Sequence, residues 1–158
     1  MRFVHYGHNM SDIPANEEIP SLLAAINQKH LDRRKIMSKK ISLGQIEDFS
    51  EGKATVIQVE GTAIVINRVK DEFYAVENRC PHMGLPLGAN KVEGTVITCP
   101  FHGSKFDMRT GENLDWVTSF AGAKLPEWSR RLVAMGKKPT PIKTLRVLSE
   151  NGQLFIEI

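Results

Sequence analysis

Two short stretches hold the side chains with metal-binding chemistry: Cys80-Pro81-His82-Met83-Gly84 and, with sixteen residues between His82 and Cys99, Cys99-Pro100-Phe101-His102-Gly103-Ser104. Each offers one thiolate and one imidazole, followed by a glycine. Both ligand types suit zinc in a four-coordinate structural site. Zinc fingers, however, commonly put both cysteines on one turn and both histidines on another. The alternative is an iron-sulfur centre, and both readings stay open on the residues alone. Cys80 and Cys99 are the chain's two cysteines, so one disulfide at most can form. His5 and His8 are three apart, but Tyr6-Gly7 gives no helical support, and they read as surface histidines.

The elements that must position these loops are mainly strands. Ala54–Val59 and Thr62–Asn67 are β-branched runs joined through Glu60-Gly61, the pattern of a hairpin. Phe73–Val76 follows, and Thr95–Thr98 leads directly into Cys99. Near the end, Thr144–Leu148 and Leu154–Ile158 flank Asn151-Gly152, a strong hairpin turn. Short strands at close spacing argue an all-β domain. One helix interrupts it: Pro126 stands at its start, Trp128, Leu132 and Met135 recur at one-face spacing, and Gly136 closes it. Its Trp128 face is expected to pack on the sheet or on the amino-terminal segment, rather than to serve a partner.

The start of the chain is different. Residues 1–20 carry Gly7, Asn9, Pro14 and Pro20 without apolar periodicity and read as an extended arm. Leu22 to about Met37 reads as a helix whose basic end, Arg33-Arg34-Lys35, suits the macrodipole and forms a solvated face. Met37 is a plausible alternative translation start, since the strand pattern begins just after it. We divide the chain accordingly into an extension, residues 1–40, and a β domain, residues 41–158.

The 158 residues are 41% hydrophobic and 25% charged, which excludes disorder throughout. The net charge of +3 sits entirely at the start: residues 1–40 hold seven basic and four acidic side chains, residues 41–158 fourteen of each. A near-neutral body argues against nucleic-acid binding by that part. The strongest early apolar run, Leu22–Ile26, is too short to span a membrane, and no segment has the build of a secretory signal. A cytoplasmic protein without membrane attachment is expected, in a compartment where thiolates favour metal over disulfide.

The spacing Cys-x-His, then Cys-x-x-His, each pair followed by glycine, resembles the Rieske family, and the resemblance extends over roughly residues 41–158. It implies a Rieske-like antiparallel β-sandwich with a small cluster-binding subdomain, here with an amino-terminal extension and one inserted helix. It also implies one [2Fe-2S] cluster, with Cys80 and Cys99 on one iron and His82 and His102 on the other. Neutral imidazoles in place of two thiolates ease reduction, so such centres lie at about −150 to +300 mV against about −400 mV for all-cysteine clusters. High-potential relatives carry two further cysteines in a loop-clamping disulfide and a tyrosine after the second loop. Leu85, Phe101 and Phe106 stand at those positions, while Ser104 keeps a hydroxyl for a bridging sulfide. A potential in the lower part of the range is expected.

In the family the outer imidazole edges are exposed, so His82 and His102 are expected within a docking patch rimmed by Met83, Leu85, Pro86, Leu87 and Phe101. Pro139-Thr140-Pro141 resembles a third loop that covers the cluster in relatives. The implied function is one-electron transfer by a soluble Rieske-type ferredoxin between a reductase and a terminal oxygenase or reductase, with no substrate site of its own. A complete oxygenase would need a further iron site, and no histidine follows His102. The lack of an amino-terminal anchor and clamp argues against the membrane-bound subunit of a cytochrome complex. A zinc-binding interaction module and a [2Fe-2S] redox sensor are the alternatives. Electrostatic attraction to an acidic partner is expected to come from the extension.

Overall fold

A computed structural model describes residues 39–89 and 91–158. The expected arm, the helix over Leu22–Met37, the alternative start and the His5/His8 pair lie outside the described residues.

In chain order the first strands are β1 (Lys40–Gln45), β2 (Thr55–Val59), β3 (Thr62–Val69), β4 (Glu72–Glu77), β5 (Val92–Glu93) and β6 (Val96–Thr98). They are followed by β7 (Lys105–Asp107), β8 (Asn113–Asp115), β9 (Ser119–Phe120), β10 (Ala123–Lys124), helix α1 (Glu127–Val133), β11 (Thr144–Glu150) and β12 (Gln153–Glu157). The larger sheet runs β1-β12-β11-β4-β3-β2, the smaller one β5-β6-β7-β8, and β9 pairs with β10. All strand pairings between these elements are antiparallel. The fold is the expected all-β one, and both predicted hairpins form. Their turns place Glu60 and Gly61 at φ of 47° and 82°, and Asn151 and Gly152 at 50° and 79°, the paired positive values of a type I′ turn.

Strand alternation explains how the sheet carries two cores. Successive β3 side chains point to opposite faces. Ile64 and Ile66 join Phe49, Val59, Ala75, Leu154 and Ile156 on one side. Val65, between them, joins Val76, Cys80, Leu87, Ile97, Cys99, Phe106 and Met108 on the other. The second core welds the small sheet and both cysteines onto the large one. β11 completes the sandwich by changing partners: Thr144 and Leu145 pair with β4, and Arg146 to Glu150 pair with β12.

The predicted helix forms as α1, with Pro126 at its N-cap and Gly136 beyond its end at φ 73°. Its packing differs from expectation. Trp128 is 76% exposed and does not pack on the sheet. The side turned inward carries Ala134, just past the last turn, and Arg130, which pairs with Asp115 at 3.4 Å. The helix thus meets the domain through this ion pair to β8 and the small Ala134 side chain, and its Trp128 and Leu132 side is left outward.

Candidate metal centre

The two Cys/His loops are built alike. Cys80 N–H donates to the carbonyl of Leu85 at 2.8 Å, and Gly84 N–H to the carbonyl of Cys80 at 2.7 Å. In the second loop Cys99 N–H donates to the carbonyl of Ser104 at 2.8 Å, and Gly103 N–H to that of Cys99 at 3.0 Å. Each loop thus closes between the cysteine and the residues four and five further on. The glycines are needed at those closures. Gly103 has φ 69°, and a Cβ there would lie 2.3 Å from Thr118 Oγ1 and 2.7 Å from Ser119 Oγ. Gly84 has φ 73° and faces the Arg79 guanidinium.

These closures bring the four predicted ligands together as two pairs. The Nδ1 atoms of His82 and His102 face each other at 3.2 Å, with the rings edge to face at 4.7 Å between centroids. Cys80 and Cys99 are buried, unoxidised and in hydrogen-bond contact with each other. Hydrogen bonding to Cys99 and burial push the Cys80 thiol up, while the Cys80 hydrogen bond brings Cys99 down to about 6. Backbone N–H groups of His82 and Met83 favour charge on the first sulfur, and those of His102 and Phe101 on the second. Burial, then the neighbouring His102, holds His82 below its ordinary value against the opposing pull of the Val133 and Ala134 backbone. Cys99 is thereby favoured as thiolate and His82 as neutral imidazole, the protonation states of metal ligands.

Among the described residues no group of three or more His, Cys, Asp or Glu side chains is arranged around a single ion. A sulfur pair beside a nitrogen pair fits two metal atoms better than the single tetrahedral ion of a zinc site. His82 Nε2, buried and without a hydrogen-bond partner, lies on the far side of the ring from the facing Nδ1 atoms.

Ser104 is fully buried and its Oγ accepts the Val117 N–H at 3.0 Å. Since the amide is the donor, the hydroxyl proton remains to be given elsewhere. Val117 is held at φ 50°, the left-handed region, where a β-branched residue is an outlier. Phe106 is fully buried with its ring edge-on to Trp116, and no hydroxyl replaces the one it lacks.

The surroundings of the histidines differ from the expected docking patch. His82 is 0% and His102 9% exposed, so neither imidazole offers an open edge. The segment after β8 covers them. Thr118 and Ser119 donate N–H groups to the His102 carbonyl at 2.8 and 3.1 Å, and Phe120 stacks on the His102 ring. Trp116 packs edge to face on His82 and donates Nε1–H to the carbonyl of Lys137 at 3.2 Å, while Lys137 Nζ donates to the His82 carbonyl. Of the expected rim, Met83, Pro86 and Phe101 are exposed, Leu85 is half-buried, and Leu87 belongs to the core. Pro141 and Ile142 share a cleft with Cys80, Pro81 and Met83, so the proline stretch lies against the first loop. Trp116 and Lys137 carry no motif, and no local pattern marked them as part of the site.

The family profile of the Rieske [2Fe-2S] domain matches residues 39–124. The ferredoxin component of the naphthalene 1,2-dioxygenase/salicylate 5-hydroxylase systems of Ralstonia sp is 35% identical over 69 residues, 44% of this chain and 66% of that protein. The probable 3-ketosteroid-9-alpha-monooxygenase oxygenase component of Rhodococcus rhodochrous is 30% identical over 115 residues, 72% of this chain and 25% of that protein. In fold, the chain is similar to the ferredoxin of carbazole 1,9a-dioxygenase from Nocardioides aromaticivorans IC177, with a TM-score of 0.53, 22% identity, and coverage of 75% of this chain and 97% of that one. The chain spans about two-thirds of the first relative's length and about a quarter of the second's.

Proposed function

The chain belongs to the Rieske [2Fe-2S] domain family, and from that premise we propose that it is a one-electron carrier of the ferredoxin type, exchanging electrons between a reductase and a terminal oxygenase or reductase. Family membership implies one [2Fe-2S] cluster, which when bound supplies a reversible one-electron couple. Cys80 and Cys99 would hold it on one side, His82 and His102 on the other, and Ser104 would donate its hydroxyl to sulfur. The observation that carries this reading is the pair of facing Nδ1 atoms, 3.2 Å apart, beside two adjacent buried thiols.

The residues around the site do three things in this reading. The second core keeps water from the sulfurs through Leu87, Ile97, Phe106 and Met108. Backbone N–H groups from both loops stabilise the thiolates. The cover formed by Trp116, Phe120 and Lys137 fixes both rings from outside. The free state of the two adjacent cysteines supports a reducing, cytoplasmic setting. Among the described residues no helix is long and apolar enough to cross a membrane. The family match beginning at residue 39 supports dividing the chain into an extension over 1–40 and the cluster domain over 41–158.

Purifying the full chain aerobically tests the reading. A reddish-brown protein with visible absorption, a paramagnetic signal on reduction and a reversible midpoint in the lower part of the Rieske range is the expected result. A colourless protein loaded with zinc would overturn it.

A further inference from the structure

Helix α1 is inverted. Trp128 and Leu132, at i and i+4, share one face of the helix, Met135 follows just beyond its end at φ 53°, and the three are 76%, 72% and 69% exposed. The opposite side carries half-buried Arg130 and leads into buried Ala134. Three large exposed apolar side chains on one short helix and the turn that ends it form the kind of patch that marks an interaction site.

The charge around this patch is one-sided. Residues 118–143 contain six basic side chains and one acid, Glu127, whereas the rest of 41–158 contains eight basic and thirteen acidic ones. The near-neutral body is therefore polarised, and its positive end is the segment that carries α1. Arg130 is paired with Asp115 and Lys143 with Glu77, but Lys124, Arg131 and Lys138 make no ion pair among the described residues. Within the same segment Phe120 stacks on the His102 ring and Lys137 donates to the His82 carbonyl, so a partner that exchanges electrons there meets this segment.

Resting on the electron-carrier reading, we propose that the outer face of α1, Trp128, Leu132 and Met135 flanked by Lys124, Arg131 and Lys138, is the docking surface for a redox protein whose contact face is apolar at its centre and ringed by carboxylates. Charge selects the occupant. A second copy would bring cations against cations, and residues 1–38 carry five basic against four acidic side chains and supply no such ring. A protein is favoured over an anionic bilayer because the patch lies on the cover of the candidate redox site.

The test uses the full-length protein with its cluster and, as probe, a reduced acidic plant-type ferredoxin that gives up one electron as the protein's cluster takes it. Stopped-flow rates are read at low and high salt for the native protein, for Arg131→Glu with Lys138→Glu, and for Trp128→Ser with Leu132→Ser. The native rate should fall with salt. The charge-reversal variant should be slowed about tenfold at low salt and lose most of its salt dependence, and the serine variant should be slowed at both. Reduction by dithionite and the visible spectrum should stay unchanged in all three. Equal ferredoxin rates in all three proteins would overturn the docking site. So would a dimer, or binding to phosphatidylserine vesicles, that the serine variant abolishes while its ferredoxin rate stays native. A native protein without a cluster, or without reversible reduction by dithionite, would instead overturn the carrier reading, and it does so before any partner is added.

Discussion

Replacing Ser104 by alanine removes one hydroxyl with two separable jobs. Its oxygen accepts the Val117 N–H at 3.0 Å in a fully buried setting. Without it that amide has no partner, which costs about 1–3 kcal/mol, at a residue already strained by φ 50°. In the electron-carrier reading the hydroxyl proton, which Val117 does not use, would stabilise the more negative reduced state of the site. If that hydrogen bond strengthens on reduction by about 1–2 kcal/mol, the one-electron conversion of about 59 mV per 1.4 kcal/mol lowers the midpoint by about 40–90 mV. A redox titration followed by visible circular dichroism reads the second effect, and urea denaturation of the same samples reads the first. A midpoint unchanged within about 15 mV, with stability lowered, would make Ser104 purely structural and refute the redox argument. A lowered midpoint without any loss of stability would refute the role assigned to the Val117 contact.

Cys80→Ala should abolish cluster assembly, seen as loss of visible absorption. His102→Cys should add negative charge and shift the midpoint sharply toward the all-cysteine value of about −400 mV. Gly103→Ala places a Cβ 2.3 Å from Thr118 Oγ1 at φ 69°, and should destabilise the fold by about 2–4 kcal/mol in urea titrations. Asp107 accepts a bidentate hydrogen bond from Arg109, with contacts of 2.6 to 3.1 Å, and that guanidinium holds its carboxyl below the ordinary value of 3.8. Because the folded value is the lower one, the stability that ionised Asp107 contributes is complete above its unfolded value and lost as the pH falls through the folded one. Denaturation midpoints of the native protein and Asp107→Asn should therefore differ at pH 7 and converge in acid.

The ligand loops were legible because their chemistry is local. Cys80 and His82, like Cys99 and His102, lie within one tight turn, so the residue types and the glycine closures predict geometry that two backbone hydrogen bonds then realise. The long strands were legible for a related reason: their apolar runs carry burial, alternating in β2 and β12 and continuous over residues 64–67 in β3. Strands β5 and β7 to β10, of two or three residues each, are too short to carry a period. They exist because their pairing partners hold them.

The cover over the histidines was not legible, and its absence from the sequence reading led to the wrong expectation of open imidazole edges. Nothing in Trp116, Phe120 or Lys137 announces contact with loop residues eighteen to fifty-five positions away. Helix α1 shows the same limit: its apolar spacing correctly predicted a helix, but which way Trp128 and Leu132 face depends on contacts with distant residues such as Asp115. By itself, then, the sequence determined which side chains can hold a cluster, the family, and the β character of the domain, because these depend on residue type and on neighbours in the chain. Tertiary structure alone decided that His82 and His102 are shielded and that Trp128 and Leu132 face outward. Both depend on which surfaces meet, a property of side-chain packing between distant segments that no local pattern encodes.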